Sequence, residues 1–217
     1  MFKQLIKNKQ GFTLVEMLLA TFIFTLMVFA VSGVYISFNK SQIRTTSSQQ
    51  LLNDSQYALE VMAKEIRNDT IIDYSPTDGE CDSLINAAAT DIFDKCIILE
   101  KSNGQTVAFA RHSSTLDPGN IRLYYLFLNC DDFYSSCGVV NLASSSATAI
   151  LSPEINNINL IGLNFYVLPN TNPYTSGGPN QQPRVTINMH TAYISGDDVR
   201  NVDRVFQTTV SSRVYKR

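Results

Sequence analysis

Between residues 17 and 38 the 217-residue chain has no aspartate, glutamate, lysine or arginine. As a helix rising 1.5 Å per residue, those 22 residues would extend about 33 Å, enough to cross the hydrocarbon of a bilayer. The run is too long for the apolar core of a secretory signal peptide. Residues 39–68 contain no proline and no glycine, so nothing in them stops a helix. No dense basic run follows the N-terminal residues and the net charge is −2, so nucleic-acid binding is not predicted. No CxxC pair is present, and the two histidines, His112 and His190, lie far apart, which argues against zinc. The G-x-S-x-G, P-loop, H-E-x-x-H and EF-hand patterns are all missing. No catalytic residue, cofactor or metal site is therefore predicted, and the chain does not read as an enzyme. Asp131-Asp132 and Asp197-Asp198 are too few oxygens for calcium by themselves and read as solvated loop residues. No internal repeat is visible.

What stands before the apolar run is more informative. Lys3, Lys7 and Lys9 form a basic leader, and Gly11-Phe12-Thr13-Leu14-Val15-Glu16 follows it. A carboxylate within a membrane-length segment costs roughly 2.5–3.5 kcal/mol at a helix centre on insertion scales. Glu16 therefore calls for a partner. Gly11, Phe12, Thr13, Leu14, Glu16 and the apolar stretch behind them resemble the N-terminus of type IV prepilins and pseudopilins. The resemblance implies cleavage between Gly11 and Phe12 by a prepilin peptidase, and N-methylation of Phe12. It also implies that Glu16 pairs with the free amine of Phe12 on a neighbouring subunit during filament assembly. Removing residues 1–11 takes away three lysines and no acid, which moves the net charge from −2 to −5.

Beyond the membrane-length run, apolar residues recur at Ile43, Leu51, Leu52, Ala58, Leu59, Met62 and Ile66. From Leu51 onward the spacing lines one helix face. Glu60 and Lys64 stand at i, i+4 in the favourable order. The pattern predicts one helix over residues 13–69, with a break near Ser47-Ser48 as the alternative. Gly33 is either a soft hinge or a small residue at a helix–helix contact.

Strands are predicted at residues 96–100, 105–110, 121–128, 158–168, 185–193 and 205–214, and Asn103-Gly104 marks a hairpin between the first two. Ile161, Leu163, Phe165 and Val167 would share a face, and Val185, Ile187, Met189, Thr191 and Tyr193 alternate. Residues 169–183 form a polar loop rich in proline. The expected fold is α+β and type IV pilin-like: a long N-terminal helix, transmembrane in its first half and amphipathic in its second, packed on an antiparallel sheet. The expected divisions are a leader (1–11), a transmembrane or filament-core helix (12–38), an amphipathic half-helix (39–70) and a β-rich domain (71–217).

Lysines ahead of the apolar run favour a cytoplasmic N-terminus, weakly opposed by Lys40 and Arg44. The domain would then lie outside the cytoplasmic membrane, and the protein would pass from that membrane into an extracellular or periplasmic filament. An even set of cysteines, Cys81, Cys96, Cys130 and Cys137, fits disulfides in such a compartment. Three pairings are open. Pairing neighbours in sequence gives Cys81–Cys96 and Cys130–Cys137, while free buried thiols remain the other reading.

Gln56-Tyr57-Ala58-Leu59-Glu60-Val61-Met62-Ala63-Lys64-Glu65-Ile66-Arg67-Asn68 resembles the helix end of W-type minor pilins and J-type minor pseudopilins. Residues 184–188 and 206–213 resemble their late strands. This implies a minor filament subunit that primes assembly or caps the tip. The expected partners are the peptidase, other pilins through the helix, an inner-membrane assembly platform, and membrane lipid before assembly. The alternatives are a major filament subunit and a membrane-anchored adhesion module using residues 169–183 or the aromatics Tyr124, Tyr125, Phe127, Phe133 and Tyr134.

Overall fold

Helix α1 (Leu14–Asn68) matches the predicted span to within a residue at each end and continues through both Gly33 and the Ser47-Ser48 pair. The computed structural model describes residues 11–74, 91–128, 147–169, 181–196 and 198–213. The chain divides into two compact units, Met1–Ile43 and Arg44–Arg217.

In the first unit the side chains of residues 11–38 are exposed on every side of the helix. Three hydroxyls in this apolar stretch are satisfied within the helix itself. Thr21 Oγ1 donates to the Leu18 carbonyl at 3.0 Å, Thr25 Oγ1 to Phe22 at 2.8 Å and Ser32 Oγ to Val28 at 2.7 Å. Such back-bonding frees these three hydroxyls from dependence on water, which suits a hydrocarbon environment. By length and composition the helix is apolar enough to cross a membrane.

In the second unit α1 buries Ser47, Leu51, Ser55, Ala58, Met62, Ala63 and Ile66. Leu51, Ala58, Met62 and Ile66 keep the predicted stripe, whereas the predicted Leu52 is exposed and Leu59 only half-buried. The two buried serines were invisible to a hydrophobicity pattern. Ser55 Oγ and Thr191 Oγ1 lie 2.9 Å apart, both fully buried. Removing one hydroxyl would leave the other unsatisfied, at about 1–3 kcal/mol, whereas removing both from the same pair is far cheaper. Ser55→Ala is expected to lower stability by about that amount, and the added Thr191→Val to recover part of it, in a double-mutant cycle read by thermal unfolding.

The strands divide between two antiparallel sheets where the pattern alone suggested one. The first contains β1 (Thr70–Tyr74), β2 (Asp91–Glu100), β3 (Thr106–Ser114), β4 (Asp117–Leu128) and β5 (Ala147–Leu151) in sequential order. A short helix α2 (Pro153–Asn156), capped by Ser152, leads into the second sheet. That sheet contains β6 (Ile158–Leu168), β7 (Arg184–Tyr193) and β8 (Val202–Ser211).

The Asn103-Gly104 hairpin is present. Gly104 has φ +81°, in the left-handed region that favours glycine, and its amide donates to the Lys101 carbonyl at 2.9 Å. Strand β7 buries every second residue from Val185 to Tyr193, as predicted. Strand β8 begins three residues earlier than expected. In β6 the expected inward face holds for Leu163, Phe165 and Val167, but a register shift between Leu160 and Gly162 removes Ile161 from it. Leu160, Leu163, Phe165 and Val167 point inward, and Ile161 is turned out, 41% exposed. A bulge inserts one residue and reverses the alternation on one side of it. Strands β1 and β5 were not anticipated.

Both sheets and the second half of α1 share one core, including Leu51, Met62 and Ile66 of α1, Phe109 of β3, Leu123 of β4, and Phe165 and Ile187 of the second sheet. The first sheet also buries its other face, through Phe93, Cys96, Ile98, Ala108, Ala110, Leu126 and Leu128. Burial on both faces explains why β3 is uniformly buried from Thr106 to Ala110. Polar side chains tie the sheets together. Asn159 Nδ2 donates to the Gly119 carbonyl at 2.8 Å, and its Oδ1 accepts from the Ile121 amide at 2.8 Å. The Arg111 guanidinium donates to the carbonyls of Leu160 (3.3 Å) and Ile161 (3.2 Å) and pairs with Asp94.

Candidate functional site

The helix start is built by Thr13 and Glu16. Thr13 occupies the N-cap, and its amide donates to Glu16 Oε2 at 2.9 Å. Its hydroxyl donates to the same oxygen at 3.1 Å, and the Glu16 amide lies 3.3 Å from the Thr13 hydroxyl oxygen. This is a reciprocal capping box, in which residue i+3 satisfies the cap's own amide. It fixes the Glu16 carboxylate at the N-terminal mouth of α1, where the helix dipole favours negative charge. Phe12, immediately ahead, is 81% exposed. In the uncut chain the Phe12 nitrogen belongs to a peptide bond, so no cation is available there. A cut after Gly11 would create an ammonium four residues or one subunit away from this carboxylate. Sequence reasoning singled out Gly11, Phe12 and Glu16 and missed the capping role of Thr13. The signal was present as Thr13-x-x-Glu16 ahead of an apolar run.

The other sequence-predicted positions are dispersed. Cys96 is fully buried on β2 and is not a free thiol. Cys81, Cys130 and Cys137 lie outside the described residues, as do Asp131, Asp132, Asp197, Phe133 and Tyr134. Most of the loop 169–183 also lies outside them. His112 is buried, its ring 5.0 Å from that of Phe93 and 5.3 Å, edge-on, from that of Tyr124. His190 Nε2 lies 3.2 Å from Asp203 Oδ2 on the outer face of the second sheet. Tyr125 and Phe127 pack against the core rather than forming an open platform. Among the described residues no group of three or more His, Cys, Asp or Glu converges as a metal site would require.

A second polar cluster, not anticipated from sequence, closes the C-terminal end of α1. Lys101 Nζ lies 2.8 Å from Glu65 Oε2, and the Tyr125 hydroxyl donates to the same oxygen at 3.3 Å. The Lys101 ammonium also stands 5.5 Å from the Tyr125 ring centroid. Burial opposes ionisation of Glu65, but the Lys101 contacts outweigh it and hold this carboxyl below its ordinary value. Asp69 behaves oppositely: burial and the neighbouring Glu65 carboxylate push it up to about 6.

Fold and site together define an α+β protein whose N-terminal helix is long and apolar enough to cross a membrane and begins at a capped glutamate. Residues 6–32 match the prokaryotic N-terminal methylation motif, the signature of type IV prepilins. With the long apolar helix and antiparallel sheets, this supports a type IV pilin or pseudopilin subunit, a structural protein. No curated protein and no solved structure matches the chain.

Proposed function

We propose that this protein is a minor pilin or minor pseudopilin that enters a filament through its N-terminal helix and acts in initiation or at the tip. The observation that carries the reading is the methylation motif over residues 6–32, centred on a glutamate held at the helix mouth. In this reading residues 1–11 are a leader, removed between Gly11 and Phe12 by prepilin peptidase with methylation of Phe12. Residues 12–38 hold the subunit in the cytoplasmic membrane, N-terminus inside, until an assembly platform draws it into the filament. There the lipid around the apolar helix is replaced by the helices of other subunits. Glu16 is neutralised by the Phe12 amine of a neighbour, because a desolvated carboxylate without a partner is strongly unfavourable. That requirement sets the axial register of the incoming subunit. The minor role rests on the likeness of residues 56–68 and the late strands to W-type pilins and J-type pseudopilins. Outside the cytoplasm, Cys81 pairs with Cys96 and Cys130 with Cys137.

The test is the N-terminal peptide of the protein recovered from its native membrane or filament fraction, identified by mass spectrometry. The expected peptide begins at methylated Phe12. A peptide beginning at Met1 in cells with active prepilin peptidase would reduce the chain to an anchored domain and remove the assembly role of Glu16.

A further inference from the structure

We propose that the outer edge of β8 is a docking site for a partner polypeptide, which adds an extended strand antiparallel to β8 and seats alternate side chains in the groove between β8 and α1. Strand β8 ends its sheet, and among the described residues no strand lies on its far side. The direction of its backbone groups follows from two bonds just past its end. The Ser212 amide donates to the Pro183 carbonyl at 2.9 Å, toward β7, whereas the next amide, of Arg213, donates to the Arg67 carbonyl of α1 at 2.7 Å. Successive residues of an antiparallel strand turn their hydrogen-bonding groups to opposite sides. The pairing of β8 with β7 is regular from Val202 to Ser211. The even-numbered residues therefore bond to β7, and the amides and carbonyls of Val205, Gln207, Thr209 and Ser211 point outward. Sheet edges are ordinarily blunted by charges, prolines or bulges. Residues 205–211 hold no charge and no proline. The β7–β8 pairing has no register shift, although every other described pairing has one. An open, unbulged and uncharged edge is a template for strand addition.

The groove sets the chemistry of the partner. A cavity of about 460 Å³ lies between α1 and β8, with Leu59, Ala63 and Phe206 as its apolar lining and Glu60 and Arg67 as its charges. Leu59 and Phe206 are only half-buried, so both keep apolar surface for an incoming side chain. Helix α1 runs in the same direction as β8. Ser55 bonds to Thr191, which pairs with Arg204 near the start of β8, and Arg67 bonds to Arg213 past its end. Glu60 and Arg67 stand about 10 Å apart along the helix, with the exposed Arg213 beside Arg67. Antiparallel addition matches the rest of the sheet and is the more stable pairing per residue. An antiparallel partner therefore meets Arg67 first and Glu60 second. Charge complementarity calls for an acid, an apolar residue and a base at successive inward positions, which lie two residues apart in a strand. The edge presents these groups whether or not the chain enters a filament.

The experiment uses the full chain in detergent micelles and two synthetic peptides, acetyl-TDTVTKT-amide and its charge-reversed form acetyl-TKTVTDT-amide, with amide hydrogen exchange read by NMR. In the chain alone, the amides of Val205, Gln207, Thr209 and Ser211 should exchange fast and those of Phe206, Thr208 and Val210 slowly. The first peptide, at ten times its dissociation constant, should slow the outward set about tenfold and leave the inward set unchanged. The charge-reversed peptide should bind about threefold more weakly, and Glu60→Lys combined with Arg67→Glu should invert that preference. N-methylation of the two central threonines of the peptide, which removes donors to the edge, should abolish the protection. Outward amides already slow in the chain alone, protection that does not alternate, equal binding of the two peptides, or undiminished binding of the N-methylated peptide overturns the docking site. Protection that rises with protein concentration and needs no peptide would make a second copy the occupant, and overturns it as well. The wild-type exchange pattern and the N-methylated peptide decide the matter if the double variant does not fold.

Discussion

Replacing Glu16 by alanine is expected to leave cleavage after Gly11 intact while lowering incorporation into filaments about tenfold or more. Breaking one side of a buried ion pair costs roughly 3–5 kcal/mol, because the remaining charge is stranded. Here the stranded group would be the Phe12 ammonium of a neighbouring subunit. Alanine also removes the capping contacts of Glu16 with the Thr13 amide and hydroxyl, at 2.9 and 3.1 Å. Glu16→Gln separates the two roles. Glutamine serves at the third helical position of a capping box as glutamate does, but carries no charge. If pairing with the amine governs assembly, the glutamine variant fails as alanine does. If only the cap matters, glutamine restores incorporation. Processing is read from the N-terminal peptide and incorporation from the amount of subunit in sheared filaments. Normal incorporation of both variants would sink the register mechanism.

Phe109→Ala is expected to cost about 3–5 kcal/mol, the range for removing a buried phenylalanine ring. Phe109 is fully buried at the centre of β3, with β2 on one side and β4 on the other. Its ring lies 5.0 Å from that of Tyr125, which lies 5.1 Å from that of Phe127. Neither strand neighbour can collapse into the gap without breaking ladder hydrogen bonds, so the cavity stays open. For a domain of this size each kcal/mol moves the melting temperature by about 2–4 °C, and a fall on the order of 10 °C is expected. The exposed Val205, on β8, is the control: Val205→Ala should fall within about 0.5 kcal/mol of wild type, as surface substitutions usually do. A small effect for Phe109→Ala would mean that the shared core is not what holds the two sheets and α1 together.

Much of this fold was legible because the signals are local. The apolar spacing from Leu51 to Ile66, the alternation from Val185 to Tyr193 and the Asn103-Gly104 turn each report their own conformation within a few residues. Errors arose where a residue's environment depends on distant chain. Ser47 and Ser55 sit on the buried helix face because small side chains fit there, and the Ser55 hydroxyl finds Thr191 across the core. Ile161 is exposed because of a bulge whose partner is β7. Lys101 reaches Glu65 and Tyr125 only once the β2–β3 turn is folded onto the end of α1. Thr13 is the exception: its capping partner is three residues away, so its role was local and readable.

The sequence by itself determined a membrane-length helix, a prepilin motif at its head and the amphipathic extension behind it. The helix and its extension follow from composition and spacing along one helix, the motif from the resemblance of a few adjacent residues to a known family, and none needs a distant contact. The tertiary structure alone decided that the strands split into two sheets around one core, that the first sheet is buried on both faces, and that Asp69 lies buried beside Glu65 and Lys101. Burial and charge proximity are properties of packed surfaces, and residues far apart in the chain acquire them only when the fold brings them together.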